Sequence, residues 1–266
     1  MPAITRHRPF AALAGALLAL GALIAPASAS EDAELNIIGF SEDGTLFVFE
    51  EFGLQAGSGL PFSNLYVVDL PSDRWVRGTP FREMPREGEF DERDAFAALE
   101  VTRARTAEAA APLLARHAVR VPGAVVFARG LGDHARQGTV STIRRPFSDQ
   151  PLSTRAFDEF DLRLEAFEAP SPLDYCFEPT RGYRLTLEHP AAAPVVLHED
   201  SRVPRSRGCA REYRLSHFIV PGVRCAPERC PDGPLGVALI SVFAQGFEGL
   251  GRSFIAVPVP LHDPHR

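Results

Sequence analysis

The chain has 266 residues, of which 45% are hydrophobic, 9% aromatic and 23% charged, and its formal net charge is −6. This is the profile of a globular protein with a sizeable core; it excludes a disordered chain, a collagen and a coiled coil. The excess of acid excludes a nucleic-acid binder, which needs a basic face. All 28 basic residues are arginine, so Schiff-base and other lysine chemistry is excluded too.

Residues 1–29 read as a cleaved signal peptide. Arg6, His7 and Arg8 form a positive start, Phe10 to Ala25 is an uncharged apolar run, and Ala27-Ser28-Ala29 offers the small residues that signal peptidase reads. The run falls short of the roughly 20 residues that span a bilayer. The expected product is a periplasmic or secreted protein, a single mature domain over residues 30–266 that does not span the membrane. It is more acidic than its precursor, because Arg6 and Arg8 leave with the peptide.

Residues 35–80 predict a β-meander, with strands at Leu35–Phe40, Thr45–Phe52 and Asn64–Leu70. Ser41-Glu42-Asp43-Gly44 and Pro71-Ser72-Asp73 read as turns, and Gly53 to Pro61 as a flexible loop. In the second strand Leu46, Val48 and Glu50 alternate with Phe47, Phe49 and Glu51, so both faces begin apolar and the strand belongs in the middle of its sheet. Asp91 to Ala111 predicts a helix, with Asp91, Glu92 and Asp94 in the first turn, as the helix dipole favours. Phe96, Leu99, Thr106, Ala110 and Leu113 form its apolar stripe, interrupted by Arg103, and Pro112 is expected to stop or kink it, leaving a last turn to His117. Beyond Pro122, strands are predicted at Ala124–Ala128, Phe160–Phe167, Tyr183–Glu188, Tyr213–Val220, Val237–Ala244 and Ser253–Val259. Asp161, Arg163 and Glu165 alternate with Leu162, Leu164 and Ala166, the mark of one wet face. The expected class is mainly β with one packed helix (α+β), its antiparallel sheets forming a sandwich or a barrel.

Four cysteines in an exported chain imply two disulfides. Three pairings are open; Pro227, whose fixed φ suits a tight loop between Cys225 and Cys230, favours Cys225–Cys230 with Cys176–Cys209. Zinc is the rival reading, but the spacings contain no C-x-x-C.

Among residues able to carry chemistry, Glu50 and Glu51 stand out. As strand neighbours they point to opposite faces and cannot form one catalytic carboxylate pair, although either can bind a cation or serve as a general acid. The plainer reading has one facing solvent and the other paired with an arginine from a neighbouring strand. Arg202, Arg205, Arg207, Arg211 and Arg214 cluster around Cys209; Arg205 and Arg207 are the candidates to grip an acidic small molecule or an envelope protein, against the plainer reading of a solvated loop. Gly57-Ser58-Gly59 lacks a P-loop lysine, and neither G-x-S-x-G nor H-E-x-x-H occurs. His262 and His265 read as a surface tail, so no metal or other cofactor is expected.

The segment Phe40-Ser41-Glu42-Asp43-Gly44, with Phe47 to Glu51 and Leu65 to Leu70, resembles one blade of a TolB-like propeller, present in a single copy. Asn36 to Gly44, Phe49 to Gln55, Gly57-Ser58-Gly59, Tyr66 to Asp69, Ser241-Val242-Phe243 and Gly246 to Gly249 are together similar to a family of predicted secreted bacterial proteins, domain of unknown function 2259. That resemblance implies an exported protein and supplies no catalytic residue. Ala56 stands where an acidic residue is expected in the family's loop, which argues against a metal there. The sequence thus favours a non-enzymatic binding or interaction module. A secreted hydrolase with acid and histidine groups gathered in a cleft is the alternative.

Overall fold

The computed structural model describes residues 32–86, 88–90, 92–129, 140–146, 157–190, 192–222, 228, 234–246 and 249–261. The expected signal peptide, the proposed Cys225–Cys230 pair, His134, His262 and His265 lie outside the described residues.

Six strands build the first sheet: β1 (Glu34–Ser41), β2 (Leu46–Leu54), β3 (Pro61–Asp69), β4 (Arg74–Trp75), β5 (Phe81–Glu83) and β6 (Val119–Val121). Their order is β4-β3-β2-β1-β6, with β5 also on β3, so the predicted meander is present and β2 is interior as its two apolar faces required. The turn after β1 closes through side chains as well as backbone. Ser41 Oγ donates to Asp43 Oδ1 at 2.7 Å, Thr45 N donates to the same oxygen at 3.1 Å, and Gly44 takes the left-handed φ of +69° that the turn demands. Gly39 sits at φ +132° in a bulge where a Cβ would lie 2.4 Å from the Val121 carbonyl oxygen, so only glycine lets β6 pair with β1 there. The glycine-rich loop is shorter than expected. β2 runs on to Leu54 and β3 begins at Pro61, because backbone pairing continues through Gly53↔Phe62 and Leu54↔Pro61.

The remaining strands form two antiparallel four-stranded sheets. One has the order β11-β10-β9-β8, from β8 (Val140–Pro146), β9 (Phe157–Glu168), β10 (Arg181–Glu188) and β11 (Val195–Glu199). The other runs β14-β13-β12-β7, from β7 (Gly123–Ala128), β12 (Ala210–Pro221), β13 (Leu235–Gln245) and β14 (Leu250–Pro260). Among the described residues the sheets stay open, so the architecture is a layered sandwich and not a barrel.

Alternation along β13 shows how the layers stack. Ala238, Ile240 and Val242 pack with Leu162, Leu185 and Tyr183 of the second sheet, whereas Val237 and Leu239 pack with Phe40, Phe47 and Phe49 of the first. The third sheet is therefore buried on both faces, which explains the near-continuous apolar run of β13. The opposite face of the first sheet, Leu46, Val48, Leu65 and Val67, is covered by the helix α1 (Ala95–Arg116) through Ala110, Leu113 and Leu114. From one side of the molecule to the other, the order is helix, first sheet, third sheet, second sheet.

The helix differs from its sequence reading at both ends. It begins at Ala95 after a short 3₁₀ turn over Glu92–Asp94, because Asp94 is the N-cap and accepts from Ala97 N at 3.0 Å. Pro112 lies inside it. The proline removes one donor, but the packing of Ala110, Leu113 and Leu114 on the sheet carries the helix through to Arg116. Phe96 is 76% exposed and does not join the buried stripe, which is instead Leu99, Thr102, Thr106 and Ala110. The two threonines fit because each hydroxyl donates to the carbonyl four residues back.

Candidate functional site

Glu50 and Glu51 point to opposite faces of β2, and neither faces solvent: each is only 5% exposed. Glu50 turns toward α1. Arg103 grips it with a two-pronged contact, Nε to Oε1 and Nη2 to Oε2 at 3.0 Å each, while Asn36 Nδ2 and Ser63 Oγ donate to the same carboxylate at 3.0 Å. The Arg103 guanidinium also lies 3.7 Å from the Phe52 ring centroid. Burial raises the Glu50 pKa, but the bonds from Arg103, Asn36 and Ser63 outweigh it and hold the carboxyl below its ordinary range. The expected arginine partner comes from the helix and not from a neighbouring strand, so Arg103, which seemed to interrupt the apolar stripe, is the group that closes the helix onto the sheet. Replacing Arg103 with methionine is expected to cost about 3 kcal/mol by stranding the Glu50 charge. Pairing that change with Glu50→Gln should recover part of the loss, as urea denaturation of the two single variants and the double variant will show.

Glu51 faces the third sheet. Its Oε1 accepts from Tyr66 Oη at 2.6 Å and Asn64 Nδ2 at 3.2 Å, and its Oε2 accepts from the backbone N of Phe254 at 3.0 Å. Phe254 belongs to β14, an edge strand, so Glu51 satisfies an edge amide that no strand pairs and ties one sheet to another. Burial is the dominant influence and pushes the Glu51 carboxyl up. Tyr66 is pushed up as well, first by burial and then by the Glu51 charge.

A cleft of about 480 Å³ opens beside this junction, within the range of about 300–1,000 Å³ usual for small-molecule sites. Glu51 and Asn64 lie at its base, with Phe62 and Met84 as apolar lining and Arg82 and Arg252 contributed by β5 and β14. Cross-strand register sets part of this. Glu51 is opposite Asn64 and Asn64 is opposite Arg82, which puts the three in one row on one face. The N-terminal end of the described chain closes another side: Ala33 N donates to the Arg252 carbonyl at 3.1 Å, and Arg252 Nη2 donates to the Ala33 carbonyl at 2.8 Å.

The arginine cluster divides in two. Arg202 and Arg205 are exposed, whereas the Arg207 side chain is 9% exposed and so is not part of a solvated loop. Its Nη1 meets Asp200 Oδ2 at 2.6 Å, and its guanidinium lies 4.9 Å from the Tyr183 ring centroid and 5.8 Å from that of Tyr213. Asp200 also accepts from Tyr183 N and contacts His198 Nε2, both at 2.9 Å, and the His198 ring stacks on Tyr183. Asp200 is thus a structural hub. The hydrogen bonds of His198 among the described residues include no hydroxyl or thiol on its other ring nitrogen. Arg211 pairs with Glu178 and Arg214 with Glu212. Cys176 and Cys209 form the expected disulfide.

The sequence reading found Glu50 and Glu51 but not the arginines of the cleft. One signal was present: Arg252 is the single charged residue of the otherwise apolar β14.

A β-rich layered sandwich with a polar cleft at a sheet junction is the class that fold and site define. The chain belongs to the family described as predicted secreted protein (DUF2259), whose model matches residues 48–260. No curated protein and no solved structure matches it. Among the described residues no helix is long and apolar enough to cross a membrane, and no group of three or more acidic, histidine or cysteine side chains is arranged to hold a metal ion.

Proposed function

We propose that this is an exported, non-enzymatic binding protein whose ligand enters the cleft between β5 and β14. The carrying observation is the cleft itself: a preformed opening of ligand size whose base is fixed by the Glu51, Tyr66 and Asn64 hydrogen bonds. The three donors on Glu51 occupy both its oxygens, which suits a group that holds the walls in place better than one that must exchange protons with a substrate. The family's description as secreted supports export, and the run from Arg6 to Ala29 supports a cleaved leader.

Native mass spectrometry of the protein recovered from its own export compartment tests this reading. The expected spectrum starts at Ser30 and carries a small-molecule adduct that Asn64→Leu, placed in the cleft base, removes. Turnover of an ester, glycoside, phosphate or peptide substrate that Glu51→Gln abolishes would establish the secreted hydrolase instead.

A further inference from the structure

We infer that the cleft binds a small organic acid, its carboxylate held between Arg82 and Arg252 and its apolar part lying against Phe62 and Met84. The inference rests on the cleft being a ligand site and names the chemistry that site selects.

The argument begins with how this protein treats its other arginines. Arg103, Arg207, Arg211 and Arg214 are each substantially buried, and each is in contact with a carboxylate. Among the described residues, neither Arg82 nor Arg252 has a carboxylate within ion-pair distance, and both line the same cleft. Arg252 is half-buried, its Nε is buried without a hydrogen-bond partner, and Nη2 donates to a neutral carbonyl, that of Ala33. Burial holds its pKa below the ordinary guanidinium range, and Asp32 and Glu34 offset this only in part, by their charge. A half-buried cation whose carboxylates act on it only from beyond ion-pair distance is costly, and an anion brought into contact with it recovers part of that cost.

Glu51 is not an ion-pair partner for either guanidinium. Both of its oxygens are filled by Tyr66, Asn64 and the Phe254 amide, and the cation that acts on it is Arg82, on the same cross-strand row. Two acids, Glu51 and Glu83, line the cleft beside the two guanidinium groups, and among the described residues neither acid lies within ion-pair distance of Arg82 or Arg252. A planar carboxylate suits guanidinium forks, which bind it through parallel N–H donors. Buried Phe62 and the half-exposed, adaptable Met84 supply the apolar contact that a short hydrocarbon tail needs.

The test is an NMR titration of the 15N-labelled mature protein with a matched set of straight-chain carboxylic acids of two to eight carbons and their primary amides. The acids are expected to shift the amide signals of Asn64, Arg82 and Ser253. Each amide should bind at least tenfold more weakly than its acid, because hydrogen bonds to a charged group are stronger than those to a neutral one. Arg252→Met should weaken the best acid at least tenfold, and Arg252→Lys should restore only part of it. Arg82 is exposed, so Arg82→Met, which should likewise weaken acid binding, gives a readout that does not depend on how Arg252 variants fold. Acids and amides binding equally well, with shifts confined to the cleft, would overturn the carboxylate inference and leave the cleft as a ligand site. Shifts elsewhere, or none, would overturn both.

Discussion

Replacing Asp200 with asparagine is expected to cost about 4 kcal/mol, near the upper end for breaking a buried ion pair. The side chain is 4% exposed and joins three elements at once: the Arg207 guanidinium, the Tyr183 backbone amide at the start of β10, and the His198 ring of β11. Asparagine keeps the shape and removes the charge, which leaves Arg207 over two tyrosine rings without its ion-pair partner, Asp73 acting on it by charge alone. Adding Arg207→Met should return part of the loss, since an apolar residue there needs no partner. Urea midpoints of the two single variants and the double variant measure this directly, and a loss below 1 kcal/mol in the Asp200 variant would show the network to be incidental.

The same residue sets a pH dependence. Burial opposes ionisation of Asp200, but His198, the Tyr183 amide and Arg207 together hold its carboxyl below the ordinary aspartate range. A depressed carboxyl contributes stability that is complete above its unfolded pKa and is lost as pH falls through its folded one. Glu50 acts in the same direction. Glu51, whose carboxyl is raised, acts in the opposite direction: its folded form takes up a proton more readily than its unfolded form, so its contribution favours folding more as pH falls through the ordinary glutamate range. The acid limb of the stability curve should therefore be shallower in Asp200→Asn than in the wild type, because the variant has lost one of the buried groups that create it.

The second large effect is expected at the disulfide. Cys176 and Cys209 are 33 residues apart and join the connection between β9 and β10 to the start of β12. A loop of that size corresponds to about 3–4 kcal/mol in the chain-entropy account of cross-links. The segment near Cys176 has little apolar burial of its own, with Tyr175 61% and Phe177 88% exposed. Two polar contacts assist it: Phe177 N donates to Gln245 Oε1 at 3.1 Å, and Glu178 pairs with Arg211. The combined change Cys176→Ser with Cys209→Ala is expected to lower stability by about 3 kcal/mol in guanidinium denaturation. A loss under 1 kcal/mol would mean that Gln245 and Arg211 suffice to hold the segment.

Local pattern made most of the strands readable. Ser41 to Gly44 carried its turn chemistry in four residues, and β9 its wet and dry faces in strict alternation, whereas the cysteines allowed three pairings, of which Cys176 with Cys209 belonged to the favoured one. The strands that escaped notice, β4, β5, β6, β8 and β11, are short or lie at sheet edges, where a few residues with one half-exposed face give no period to detect. The helix was legible in its body but not at its ends. Asp94 looked like one acid among several until its side chain was seen to cap Ala97, and Pro112 is a breaker only where packing does not hold the next turn.

The charges show most clearly where sequence stops. Arg205 and Arg207 are two residues apart in one arginine-rich stretch, yet one is exposed and the other is locked on Asp200. Nothing local distinguishes them, because burial of a side chain depends on what arrives from elsewhere in the chain. The partner of Glu50 lies 53 positions along, on the helix, and the amide that Glu51 satisfies lies 203 positions along, on β14. The β-rich class, the interior place of β2 and the family could be read from the chain unaided, because they rest on neighbouring residues or on runs of them. Tertiary structure alone decided the order of the layers, which acids and arginines are buried as pairs, and that Arg82 and Arg252 share a cleft. Those outcomes depend on contacts between strands remote in sequence, where desolvation and pairing are settled only once the sheets have stacked.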